Sequence, residues 1–132
     1  MLLDASAVLA YLNREPGDAV VEQVILSGHA RVSAVNHAEV LSKLSDWGMS
    51  SETAEHALES LGIAIEGFTP THAIESGRLC TTTRNFGVSL GDRVCLATAR
   101  QLELPVLTGD QPWLRLASDL GLKIESFRPK KH

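Results

Sequence analysis

Short apolar runs alternate along the whole chain with stretches whose apolar positions recur at helical spacing. Met1-Leu2-Leu3, Arg31-Val32-Ser33-Ala34, Ile63-Ala64-Ile65-Glu66, Val106-Leu107-Thr108 and Lys123-Ile124-Glu125-Ser126-Phe127 read as strands. A first helix is expected over Val8–Leu12, after a tight turn through the small residues Ala5-Ser6-Ala7. A second starts at Pro16-Gly17-Asp18, buries Val20, Val21, Val24 and Ile25, and ends at Gly28. A third takes Asn36 as its N-cap, with Glu39 three residues on, and continues its apolar stripe through Leu41, Leu44 and Trp47. Gly48 closes that turn, and Ser51 caps a fourth helix carrying Ala54, Ala57, Leu58 and Leu61 at i, i+3, i+4 and i+7. These two helices make an αα-hairpin standing off the sheet.

The second half repeats the alternation. Thr69-Pro70-Thr71 opens a helix with Ala73, Gly77 and Cys80 on one side, and Thr81 to Val88 is polar and irregular. Ser89, followed three residues later by Asp92, then starts a helix reaching about Glu103, because both side chains meet otherwise unpaired N–H groups. Pro105 forbids its continuation. After Asp110, Pro112 occupies a first helical turn and Trp113, Leu114, Leu116 and Ala117 pack. Strands alternating with helices predict a three-layer α/β/α sandwich on a central parallel sheet with right-handed crossovers. Strand order is not readable.

Size and composition narrow the class. A chain of 132 residues, 44% hydrophobic and 21% charged, is expected to form one domain over 1–132. No repeat or linker interrupts it. The net charge of −4 matches a polyanion poorly, so any nucleic-acid contact needs a local basic patch. Cys80 and Cys95 lack ligand spacing and are expected as free buried thiols of a reducing cytoplasm. Asp4 breaks the first apolar run, which argues against a signal peptide, and no apolar stretch is long enough to span a bilayer. A cytoplasmic protein without membrane contact is the expectation.

Four acids stand at strand–helix junctions. Asp4 ends the first strand, Glu39 opens the helix after the second, Asp92 opens the helix before the fourth, and Asp110 follows the fourth. Any one of them has an ordinary explanation, since a carboxylate at a helix N-terminus is favoured by about 0.5–2 kcal/mol. Parallel topology, however, sends all four to the same carboxyl edge, where open α/β folds place their ligands. Two like charges about 4 Å apart repel by roughly 4 kcal/mol at an effective dielectric of about 20. Such a set calls for protonation or a cation, and oxygen ligands without His or Cys suit Mg²⁺ or Mn²⁺. These ions typically serve phosphate chemistry, which points to phosphodiester cleavage.

Leu2-Leu3-Asp4-Ala5-Ser6-Ala7, Asn36-His37-Ala38-Glu39-Val40, Leu90-Gly91-Asp92-Arg93 with Leu96-Ala97, and Thr108-Gly109-Asp110 with Trp113 resemble the successive motifs of PIN-domain nucleases. The closest likeness is to VapC-type ribonuclease toxins of toxin–antitoxin pairs. The resemblance covers essentially the whole chain. It implies the PIN-like fold, Mg²⁺- or Mn²⁺-dependent endoribonuclease activity, a homodimer and inhibition by a cognate antitoxin. By position it implies Asp4, Glu39, Asp92 and Asp110 as catalytic acids, with Asp4, Asp92 and Asp110 on the metal. Gly109 departs from the alanine usual in the family.

Around these acids, Ser6 and Thr108 carry hydroxyls suited to orienting a carboxylate or a water, or to ordinary capping. Arg93 is a candidate phosphate contact, with a surface ion pair as its plainer role. Arg14, Lys43, Arg84 and the tail Arg128-Pro129-Lys130-Lys131-His132 are candidate RNA-backbone contacts, each with solvated surface as the default. His29, His37, His56 and His72 show no ligand spacing, and Trp47 and Trp113 read as core or interface. Two rival functions differ in class. A PIN-like protein-binding module that no longer cuts would not need four intact acids. A phosphoacceptor receiver would need paired acids after the first strand and a late lysine, and neither is found.

Overall fold

The computed structural model describes residues 1–129, so the expectation resting on Lys130, Lys131 and His132 lies outside the described residues. The chain runs β1 (Leu2–Leu3), α1 (Ala5–Leu12), α2 (Asp18–Leu26), β2 (Arg31–Ser33), α3 (Ala34–Asp46), α4 (Ser51–Glu59), β3 (Ala64–Glu66) and α5 (Pro70–Thr83). A 3₁₀ turn at Arg84–Phe86 leads to α6 (Leu90–Leu102) and β4 (Val106–Thr108). A second 3₁₀ segment at Gln111–Leu116 precedes α7 (Ala117–Leu120) and β5 (Ile124–Ser126). The five strands are all parallel, in the order β3-β2-β1-β4-β5. The expected α/β/α class therefore holds. The order adds that β1 and β4 are central neighbours, where the winding of the sheet reverses and open α/β folds form their crevice.

Two cores follow from the pleat. Leu2 pairs with Val106 and Leu3 with Leu107. Successive side chains point to opposite faces, so Leu2 and Val106 join Leu96, Trp113 and Leu116 in one core, while Leu3 and Leu107 join Val8, Val21, Val40 and Leu44 in the other. Burial on both faces explains why these strands are continuous apolar runs rather than alternating ones.

Several boundaries shift for identifiable reasons. Helix α1 begins at Ala5 rather than Val8, because the Asp4 side chain accepts from the Ala7 N–H and turns Ala5-Ser6-Ala7 into its first turn. Helix α3 is capped by Ser33 rather than Asn36, which puts Asn36 in the first turn and Glu39 in the second. Ser50, not Ser51, caps α4. The α3–α4 pair does not stand off, since Val40, Leu44, Ala54 and Leu58 share the core with Leu3. Helix α5 continues to Thr83, into the stretch expected to be irregular. Its buried face is His72, Ser76, Leu79 and Thr83, leaving Ala73, Gly77 and Cys80 exposed. Val20, Trp47 and Leu114 are exposed as well, and Ile65 lies open on the edge strand β3.

Candidate functional site

Asp4 is the best-determined group on the carboxyl edge. It sits just past β1, is 4% exposed, and its carboxylate takes three hydrogen bonds. Oδ1 accepts from the Ala7 N–H at 2.9 Å and from the Ser6 hydroxyl at 2.6 Å. Oδ2 accepts from the Thr108 hydroxyl at 2.5 Å. Each hydroxyl then accepts from the loop after β4, Ser6 from the Gly109 N–H at 2.9 Å and Thr108 from the Asp110 N–H at 3.0 Å. Ser6 and Thr108 thus clamp the ends of the two central strands through one carboxylate, which exceeds plain capping.

That carboxylate is also perturbed. Burial pushes the Asp4 pKa up to about 6, and the hydrogen bonds from Ser6, Thr108 and Ala7 offset this only in part. The Asp92 charge raises it further, as the smallest cause. Desolvation therefore outweighs the mutual repulsion of the acids.

Asp92 holds its place through a reciprocal capping box. Its N–H donates to Ser89 Oγ at 3.2 Å, and its Oδ2 accepts from the Ser89 N–H at 3.0 Å. Glu39 approaches from α3. A Cβ on Gly91 would lie 2.5 Å from Glu39 Oε1, so the glycine makes room for that acid. Asn36 ties the two helices, its amide donating to Glu39 Oε1 at 2.6 Å and to the Gly91 carbonyl at 3.1 Å. Local pattern presents Asn36 as a cap only; the signal for its larger role is its place one turn before Glu39. One turn after Asp92, the buried Cys95 thiol is held well above its usual range by desolvation and then by the charges of Asp4, Asp92 and Glu39. Asp110, after β4, is also perturbed: partial burial and then the Asp92 charge raise its pKa. The Trp113 indole acts the other way from nearby, although its N–H closes no hydrogen bond within the described residues.

The other candidates scatter. Arg93 forms no ion pair among the described residues; its Nη1 donates to the Val88 carbonyl at 3.2 Å and its buried Nε has no partner there. It braces the loop before α6. Arg14 lies over the Tyr11 ring and pairs with Asp18, while Lys43 and Arg84 are exposed. His72 completes the cap of α5, its Nδ1 accepting from the Thr69 N–H. Trp113 is fully buried and Trp47 is exposed at the end of α3.

The donor set suits a hard cation. All four acids offer oxygen, and the Asp4 clamp fixes one carboxylate before any ion arrives. Among the described residues no group of three or more His, Cys, Asp or Glu side chains is placed to hold a metal ion. Mg²⁺ does not require such a group, since it is commonly held by one or two carboxylates and keeps several waters.

The family model described as PIN domain matches residues 1–118. No curated protein matches the chain. Solved structures similar to it include the Rickettsia felis VapBC2 complex bound to a DNA fragment from its promoter, with a TM-score of 0.73, 16% identity, and 95% of this chain and 96% of that one covered. FitAB bound to IR36 DNA gives 0.74 at 20% identity, covering 99% and 97%. DNA-bound VapBC from Salmonella typhimurium gives 0.70 at 18%, covering 96% of each. At such identities the likeness is one of fold.

Proposed function

The chain belongs to the PIN-domain family, and from that premise we propose that it is a metal-dependent endoribonuclease, the toxin of a type II toxin–antitoxin pair, formed by one PIN domain over 1–132. The observation that carries the reading is the buried Asp4 carboxylate, clamped by Ser6 and Thr108 and close enough to Asp92 to feel its charge. Burying an acid among acids costs stability, and a divalent ion offsets that cost.

In this reading Asp4, Asp92 and Asp110 hold Mg²⁺ or Mn²⁺. When bound, the ion supplies a Lewis acid for phosphate oxygens and lowers the pKa of water. Ser6 and Thr108 orient Asp4 by donating to both of its oxygens. Glu39, fixed by Asn36 and exposed to solvent, accepts a proton from the attacking water or aligns it. Arg93 positions the loop before Asp92. RNA as substrate rests on the family resemblance, and so does a homodimer. A cognate antitoxin is supported by the fold neighbours, whose names describe VapBC and FitAB assemblies. No helix among the described residues is long and apolar enough to cross a membrane, which accords with a cytoplasmic role.

The test is cleavage of total cellular RNA by the purified chain, with mapped ends, in Mg²⁺ and in EDTA. Discrete cuts in Mg²⁺ alone are expected. Intact RNA in both would favour the protein-binding module.

A further inference from the structure

Beside the acidic edge, Arg128 is a cation built into the wall of a groove. That groove, of about 770 Å³, opens beside Asp110, and Ser6, Pro16, Pro112 and Arg128 line it. Arg128 is no loose surface side chain. Its Nη1 donates to Glu15 Oε1 at 3.0 Å, and its guanidinium carbon stands 4.8 Å from the centroid of the Phe127 ring. Its backbone N–H donates to Ser126 Oγ at 3.1 Å. Phe127 is itself locked to the loop between α1 and α2, because a Cβ on Gly17 would run into its carbonyl oxygen.

Gly109 decides how the guanidinium faces the site. A Cβ there would lie 2.9 Å from Arg128 Nε and 3.1 Å from Nη2. The Nε–Nη2 edge therefore lies over bare backbone, one residue from Asp110, while Nη1 is taken by Glu15. Among the described residues Glu15 is the sole hydrogen-bond partner of this guanidinium. Two parallel N–H groups left unused at the mouth of a groove match the oxygens of a phosphate. On a chain of net charge −4, such a cation is where a polyanion gains attraction near the acids.

We infer that this groove seats the nucleotide adjoining the scissile phosphate of an RNA substrate, with Arg128 gripping that nucleotide's own phosphate. The inference rests on the ribonuclease reading and deepens it. Glu15 orients the guanidinium, and Pro16 and Pro112 offer apolar faces to the sugar and base. Arg128 is a binding residue, not one that moves a proton.

The test measures binding of a short labelled single-stranded RNA by fluorescence anisotropy, in EDTA, across a series of salt concentrations. Arg128→Gln is expected to weaken binding about tenfold and to lower the salt slope by about 0.7. Arg128→Lys, which keeps a charge for Glu15 and guards against a folding defect, should restore the slope but only part of the affinity. Arg78→Gln, on the distant α5 surface, should behave as the unaltered chain. In Mg²⁺, Arg128→Gln should raise KM about tenfold with kcat nearly unchanged. Wild-type affinity and slope in Arg128→Gln, or no RNA binding by the unaltered chain, would overturn the inference. Binding that depends on Arg128 without cleavage in Mg²⁺ supports this contact while defeating the ribonuclease reading; cleavage untouched by Arg128→Gln does the reverse. Loss of binding to an acidic antitoxin segment alone, with RNA binding intact, would also overturn it.

Discussion

Replacing Asp4 by Asn should make the metal-free protein more stable at neutral pH, by an amount that depends on pH. The Asp4 carboxyl ionises near 3.8 when unfolded and near 6 in the fold, with burial as the main cause. Between those values the native state holds a proton that the unfolded state has released. Stability from this group is therefore fully present below about pH 3.8 and is lost as pH rises through about 6. A tenfold change in proton affinity corresponds to about 1.36 kcal/mol, so the total loss is about 3 kcal/mol. Asn keeps an oxygen for Ala7 and Ser6 and cannot ionise. Urea unfolding in EDTA at several pH values would give the stability difference between Asp4→Asn and the unaltered chain. That difference should grow by about 2.4 kcal/mol from pH 4 to pH 7, with most of the change below about pH 6. A difference that stays flat would refute the claim that Asp4 is a desolvated, strained carboxylate.

Further outcomes follow from the same geometry. Asp92→Asn should abolish RNA cleavage in a gel assay and leave the metal-free melting temperature equal or higher, because Asn can still accept from the Ser89 N–H while Asp4 and Asp110 lose a repelling neighbour; cleavage at the wild-type rate would contradict the assignment. Thr108→Val should cost about 1–3 kcal/mol at pH 7 by urea unfolding, since it strips Asp4 of a donor and the Asp110 N–H of an acceptor. It should also move the Asp4 pKa higher still, which NMR titration of the carboxyl carbon would read.

What the sequence disclosed and what it hid divide along a physical line. Local rules place the Ser89–Asp92 capping box and Asp4 at the end of β1, because a cap is written within a few residues. The buried face of α5 was hidden for the opposite reason. Ser76 Oγ donates to the His72 carbonyl at 2.6 Å and Thr83 Oγ1 to the Leu79 carbonyl at 2.7 Å. Each hydroxyl satisfies itself on its own helix, so α5 buries polar residues that apolar spacing does not reveal. Ser33 displaced Asn36 as a cap for a related reason: both can cap, and only the end of β2 decides. Contacts distant in sequence were beyond reach, as with Glu15 and Arg128, which are 113 positions apart. The Thr108–Asp4 bond likewise needed the β1–β4 pairing that strand order alone supplies.

In the ribonuclease reading Asp4, Glu39, Asp92 and Asp110 line one anionic pocket that a divalent ion completes. Calorimetry and thermal unfolding of chelator-treated protein titrated with Mn²⁺ put this to the test. Saturable binding with a raised melting temperature is predicted for the unaltered chain, and loss of both effects for Asp4→Asn combined with Asp92→Asn. No binding by the unaltered chain, or equal binding by the double variant, would contradict it.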